Sequence, residues 1–348
     1  MIRMMGRLVA ATLMVAVVIG CYHRATPVAA DPSPDDPPPK RDKFAEDRVP
    51  LPAGTKLPAL DGDRAHKYLK QLCDIGPRVS GSEGMAKQQD LLTRHFKAHG
   101  ATVTRQEFKA RQRSKKDEVP MTNLIATWFP EHKERIIFCC HYDTRPAAHE
   151  EKSTEWNKPF ISANDGTSGV AIMMELAHHM KDFPSKVGVD FVFFDGEEYI
   201  LDPGVPYIRE GDKYFLGSEH FASTYAKEKI KLPYRYRGAI LLDLCAHPNA
   251  RLAVEGYSWQ FAPRLVTEVW QTAEKLGAKS FKMERGFERA ADVLDDHIAL
   301  NQAGIPAVDI IDFDYAHWHR LTDTPEKCSP AQMVEVGNVM FGWLSTQS

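Results

Sequence analysis

The sequence predicts an α/β fold: one three-layer domain with a mixed, largely parallel central sheet flanked by helices. Two patterns lead there. Several short runs are apolar throughout rather than alternating, as strands buried on both faces are. Segments with helical apolar spacing fall between them, and such alternation builds a mostly parallel sheet covered by helices. The chain has 348 residues, 43% of them hydrophobic, which is enough for one large core once the ends are set aside.

Taken in order, residues 63–75 read as a helix that Ile75-Gly76-Pro77 ends. Gly81-Ser82-Glu83-Gly84 is a turn, and 84–98 is a second helix closed by Gly100. Strand-like runs follow at 101–109, 121–128 and 134–141, then a long polar loop over 144–161. Val170, Met173, Met174 and Ala177 give 167–182 a helical period. Residues 187–194 are apolar except for Gly188 and Asp190, which predicts a strand buried on both faces. A helix over 217–228, a strand over 237–244, a helix over 259–277, a strand over 305–312 and a helix over 329–345 complete the domain. There is no internal repeat.

The ends and the charge bound the function. Arg3 and Arg7 precede an apolar run from Leu8 to Gly20. That run is too short for a bilayer span, which needs roughly 20 residues, and suits a signal-peptide core. Val18-Ile19-Gly20-Cys21 resembles a bacterial lipobox, while Val28-Ala29-Ala30 offers an ordinary cleavage site. The expected organisation is a lipoprotein-type leader over 1–20, a disordered proline-rich linker over 21–55 centred on DPSPDDPPPK, and a catalytic domain over 56–348. The product would be exported, either lipid-anchored on the periplasmic face of the cell envelope or secreted, and monomeric. A net charge of −3, from 44 basic and 47 acidic residues, leaves no electrostatic footprint for nucleic acid. Cys73, Cys139, Cys140, Cys245 and Cys328 contain no CxxC pair, which argues against a thiolate metal site. Cys139 and Cys140 are adjacent on a strand and should face opposite sides of the sheet. No disulfide pairing stands out.

The chemistry gathers at the predicted strand ends, where active sites of such sheets lie. His141-Tyr142-Asp143 ends one strand, Asp195-Gly196-Glu197-Glu198 another and Asp243 a third. Asn164-Asp165-Gly166 precedes a helix, Asp295-Asp296-His297 opens a short one, and Trp318-His319 follows the last strand. Each piece alone has a plain alternative: an Asp-Gly turn, a solvated Glu-Glu pair, a helix-capping aspartate, or a Trp-His pair packed in the core. Together they form a rim of carboxylates and imidazoles that would repel itself without a cation. Oxygen and nitrogen donors without thiolate suit catalytic zinc. His141 and Asp143 share a strand face, so Asp143 can orient the imidazole. Glu197 and Glu198 should point apart, one toward a metal and one toward substrate. His178, His179 and His220 fall within helices and read as structural; His247 and His317 lie near site loops without a role.

In this order, HYD, SANDGTSG, FFDGEEY, FLGSEHFA, LLDL, DDHI and WHRLTD resemble the zinc aminopeptidase superfamily, and within it the glutaminyl-peptide cyclotransferases. The resemblance covers roughly residues 62–345. It implies a zinc-exopeptidase-like fold, zinc ligands Asp165, Glu198 and His319, and Glu197 as general acid/base. Asp243 and Asp295 would share protons near the substrate and Trp318 would pack along it. One zinc ion is implied for a cyclase. In a dizinc aminopeptidase, His141 and Asp243 would hold a second ion and Asp165 would bridge the two. The substrate in either case is a peptide or protein N-terminus. MMELA, LLDL, the doubled Asp295-Asp296 and Trp318 before His319 are cyclase-like, whereas the Asn164–Gly169 run is aminopeptidase-like. Two departures bear on substrate preference. A longer proline-containing loop from Tyr199 to Lys213 replaces the tryptophan that animal cyclases carry after the Glu-Glu pair. Val170 stands where a cysteine would pair with Cys140. A non-catalytic lipoprotein that uses the fold for binding is the alternative of another class, and the retained Glu197 argues against it.

Overall fold

The computed structural model describes residues 56–200 and 211–347. The expected leader and linker, and most of the loop after Tyr199, lie outside the described residues.

Asp61 begins helix α1 (Gly62–Cys73) by accepting from the Arg64 amide at 2.9 Å. Ser82 begins α2 (Glu83–Ala98) by accepting from the Met85 amide at 3.1 Å. Such caps satisfy amides that have no partner within the helix. Strands β1 (Thr102–Ala110), β2 (Val119–Trp128) and β3 (Glu134–His141) follow. Then come α3 (Ser168–Met180), β4 (Gly188–Phe194), α4 (Leu216–Glu228) and β5 (Arg235–Asp243). The order closes with β6 (Leu252–Val254), α5 (Gly256–Phe261), α6 (Pro263–Leu276), β7 (Phe281–Arg285), α7 (His297–Gln302), β8 (Ala307–Ile311) and α8 (Pro330–Ser345).

The main sheet has the order β1-β2-β4-β3-β5-β8. β1, β2 and β4 pair antiparallel, whereas β4, β3, β5 and β8 run parallel. His141 pairs with Phe194 and Asp243 with Ile311, so four strands end along one line. Alternate strand residues feed two cores. Ile136, Phe138 and Cys140 face the layer of α1, α2, α3, α6 and α8. Ile137 and Cys139 face α4 and α7. The adjacent cysteines therefore point to opposite faces, as their spacing requires. All five described cysteines are buried and free.

The two non-apolar positions of β4 have one cause. Arg135 of β3 grips Asp190 with Nη2 at 2.7 Å and Nε at 3.0 Å, a bidentate pair inside the sheet. A side chain at position 188 would collide with that guanidinium, hence Gly188.

Two expectations need correction. The helix expected over 259–277 is two helices, because Ala262 leaves the helical region (φ −134°, ψ 48°) ahead of Pro263. Proline lacks an amide hydrogen and disfavours the helical conformation in the residue before it. The small parallel pair β6-β7 has no counterpart in the predicted elements. β6 is three residues long and β7 is mostly exposed, so neither shows a strand period.

Candidate metal centre

The strand ends bring the predicted residues together. Asp165, on the turn before α3, stands in the middle. Its Oδ1 is 3.2 Å from His141 Nε2, and its Oδ2 is 3.3 Å from His319 Nε2. Glu198 Oε1 lies 2.6 Å from the same His319 nitrogen, and Asp243 Oδ1 lies 3.4 Å from His141 Nε2. All five side chains are buried. Trp318 lays its ring on that of His319, with centroids 3.9 Å apart and planes 26° apart.

The backbone here is forced. Ser162, Phe215, Leu244 and His319 all have positive φ, between 48° and 63°. Non-glycine residues rarely adopt that region, and where they do they cluster at functional sites. Gly166 has φ 67°, and a Cβ there would come within 2.5 Å of the His141 ring.

Glu197 and Glu198 diverge as adjacent residues should. Glu198 turns inward, whereas the Glu197 side chain keeps 13% exposure with Oε2 3.8 Å from His141 Nδ1. Asp143 fixes this divergence. Its two oxygens accept the Glu197 and Glu198 amides, each at 3.1 Å. Its contact with His141 Nδ1 is 3.6 Å, too long for a hydrogen bond. Asp143 thus lies beside the His141 ring, where the sequence puts it, and in addition holds the Glu-Glu turn.

Several supporting residues were not anticipated. The start of the loop after β3 was expected to be a polar excursion, but Arg145 is buried there. It donates to Glu198 Oε1 at 2.8 Å and to the Tyr214 hydroxyl at 2.8 Å. Asp323 accepts the amides of Asn164 (2.9 Å) and Asp165 (3.2 Å) and the Tyr315 hydroxyl (2.8 Å). It thereby fixes the turn that carries Asp165. His149 packs on His319 with centroids 4.6 Å apart. Asp309, the lone charge in β8, is fully buried and bears on Asp295 and Asp243. Asp295 itself accepts the Asp296 amide at 2.6 Å, and Asp296 precedes α7 without capping it through its side chain. His247 and His317 ring Tyr315, and His220 stacks on Phe108.

The electrostatics are those of a site short of positive charge. Burial pushes the Asp165 carboxyl well above its usual range, and the charge on Glu198 adds to this. Burial likewise raises Glu197; His141 opposes the rise, while Glu198, Asp295 and Asp296 reinforce it. Burial opposes ionisation of Glu198 too, but His319 and Arg145 overcome it and hold that carboxyl low. Asp295 and Asp309 are raised by burial and by neighbouring carboxylates. Burial, then Arg145, lowers His319 to about 4, which leaves its ring neutral and able to bind a cation.

The donors fit a zinc ion. Asp165 Oδ2, Glu198 Oε2 and Asp243 Oδ1 are buried without a hydrogen-bond partner, a costly state that a cation relieves. Two donors held at zinc's usual 2.0–2.1 Å in a tetrahedron lie roughly 3.3 Å apart. The 3.3 Å between Asp165 and His319 matches that, as do the 3.2 and 3.4 Å that His141 keeps to Asp165 and Asp243, whereas Glu198 Oε1 at 2.6 Å from His319 is closer than two ligands of one ion sit.

The profile of peptidase family M28 matches residues 123–344. The chain belongs to this family. The family implies zinc, which the donor set suits. Among solved structures, a glutaminyl cyclase from Fimbriiglobus ruber is 68% identical, covering 84% of this chain and 98% of that one with a TM-score of 0.82. An aminopeptidase of Bacillus subtilis is 23% identical over 63% of this chain. The glutaminyl-peptide cyclotransferase of Bos taurus is 24% identical over 59% of it. The chain spans 43% of the length of that aminopeptidase and 60% of that of the cyclotransferase.

Proposed function

We propose that this chain is a zinc-dependent glutaminyl-peptide cyclotransferase, converting an N-terminal glutamine to pyroglutamate and releasing ammonia. The observation that carries the reading is the 68% identity to the Fimbriiglobus ruber cyclase across 98% of that chain. Site geometry adds support: one partly open, protonatable Glu197 lies beside a buried set of carboxyls.

Asp165, Glu198 and His319 would hold the ion. When bound, zinc supplies a Lewis acid for the carbonyl of the substrate's side-chain amide. Glu197 takes a proton from the substrate α-amine, whose nitrogen forms the new bond to the side-chain carbonyl carbon. It then returns that proton to the amide nitrogen, which leaves as ammonia. A carboxyl raised toward neutrality can both accept and give a proton at working pH. Asp243 and Asp295 accept hydrogen bonds from the substrate nitrogen, and Asp309 shares the proton load behind them. Trp318 forms an apolar wall. Because the attack is intramolecular, orientation replaces an activated water.

The test is to incubate the purified protein with glutamine-initiated and leucine-initiated peptides and follow products by mass. Ammonia loss from the first supports the reading. Free leucine from the second, with the first unchanged, overturns it in favour of an aminopeptidase.

One observation favours that second reading. The two oxygens of Asp165 face separate donor sets, His319 with Glu198 and His141 with Asp243. That is the arrangement a carboxylate bridging two ions requires. Zinc content distinguishes them: one rim ion for the cyclase, two for the aminopeptidase. The proposal extends to an exported, monomeric enzyme anchored through Cys21. Lipid labelling that survives Cys21→Ala would remove the anchor from it.

A further inference from the structure

The geometry points to a second metal site, formed by His95, His99 and His178, for a divalent transition ion of the zinc kind. His95 lies in the last turn of α2, His99 follows that helix, and His178 lies near the end of α3. One donor atom from each lies within 4.8 Å of the others. His99 Nε2 and His178 Nδ1 are 3.2 Å apart. Two nitrogens bound to one tetrahedral zinc lie roughly 3.3 Å apart.

The outer ring nitrogens decide which lone pairs face inward. His95 Nε2 is 2.9 Å from the Met174 carbonyl, and His99 Nδ1 is 2.8 Å from the His95 carbonyl. A carbonyl only accepts, so both of these nitrogens carry the hydrogen. His95 Nδ1 and His99 Nε2 therefore present lone pairs. His178 Nε2 is 2.6 Å from the Tyr68 hydroxyl, which can accept as well as donate. With the hydrogen on Nε2 and donated to Tyr68, Nδ1 is the third free donor. A ligating histidine is normally held this way, its other nitrogen tied to a carbonyl or oxygen that sets tautomer and direction.

Without an ion, Tyr68 donates to His178 Nε2, and the His178 Nδ1 hydrogen fills the gap to His99 Nε2. Binding exchanges that tautomer and releases no proton. Burial holds His95 and His178 down to about 4, so both are neutral at ordinary pH. The neighbouring charges are already spent on each other: Arg64 holds Glu175 through two contacts of 2.7 Å, and Glu175 also accepts the Asp61 amide at 2.9 Å. All three imidazoles are only half-buried, which leaves a path for the ion and room for a water as fourth ligand. The bound ion would staple the end of α2 to α3. The site is separate from the strand ends, since His178 lies about 15 Å along α3 from Ser168.

The full chain is saturated with zinc(II), freed of excess, and its metal measured per chain alongside His178→Ala and His95→Gln. The expected result is one equivalent fewer in each variant than in the unaltered protein, with peptide turnover unchanged. Equal zinc content in all three overturns the site and leaves a hydrogen-bonded imidazole cluster only. A further variant guards against misfolding of the first two. His319→Ala, altered only at the strand-end rim, is expected to hold one zinc more than the same variant combined with His178→Ala, and to melt at a higher temperature when zinc is added. Equal zinc in the two overturns the proposal.

Discussion

Helix α3 carries a cluster at each end, and the two differ in what they need. Before its first turn, Asp165 meets Glu198, Asp243, His141 and His319, with buried carboxylate oxygens left unpaired. Near its last turn, His178 meets His95 and His99, rings whose outer nitrogens are tied to carbonyls and a hydroxyl. The first is an electrostatic deficit, which a cation must relieve. The second is already satisfied by hydrogen bonds and can only accept a cation by exchanging one of them. Buried charge left unpaired costs several kcal/mol, whereas a neutral hydrogen-bonded ring costs little. Zinc at the rim should thus be tightly held and required for turnover. Zinc at the histidine cluster should be looser and serve stability.

The comparison is broken most severely at Glu197. Glu197→Gln is expected to lower turnover by about 10³-fold with rim zinc retained, since acid/base groups contribute roughly 10²–10⁴-fold. Kinetics and metal analysis on the same sample check it; unchanged turnover would remove the acid/base assignment. Asp323→Asn comes next. It keeps the shape but weakens acceptance of the Asn164 and Asp165 amides. Loss of such a support lowers metal affinity by about 10–100-fold, measurable by competition with a chelator. Trp318→Ala takes away the ring stacked on His319. Roughly tenfold weaker substrate binding, read as a higher KM with a smaller effect on kcat, is expected where an aromatic wall is worth about 1.4 kcal/mol.

The smallest effect sharpens the other end of α3. His95 titrates at about 4 when folded, against an ordinary 6.5. The unfolded chain binds the proton first, so stability is full above about 6.5 and falls as pH drops toward 4. His99 and His178 face the same ring and lower it further, while the Met174 carbonyl and Glu175 oppose them. In chelator-treated protein, His95→Gln is expected to flatten this acid limb in melting curves, and an identical slope would contradict it.

How much of this was legible in the sequence follows the same division. The rim residues sit at the ends of strands buried on both faces, so a run such as 187–194 followed by Asp-Gly-Glu-Glu marks both the strand and its chemistry. Local pattern and site coincide there. Arg145 and Asp323 stand in loops, and only the fold reveals that one is buried against Glu198 and the other under Asp165. Asp309 had a signal, one carboxylate in an apolar strand, and the structure gives it a place beside Asp295. The break at Pro263 was also readable, since proline inside a helical period ends it. The histidine cluster was not: His95 and His178 lie on separate helices, and their meeting depends on how α2 packs on α3. Single helix-borne histidines read as structural, which in isolation they are.

The central claim is tested most directly by mass analysis of the purified protein with a glutamine-initiated peptide, before and after chelation of its zinc. The account predicts loss of ammonia to give the pyroglutamyl peptide, abolished when zinc is removed and restored when it is returned. Release of the N-terminal residue as a free amino acid would contradict it.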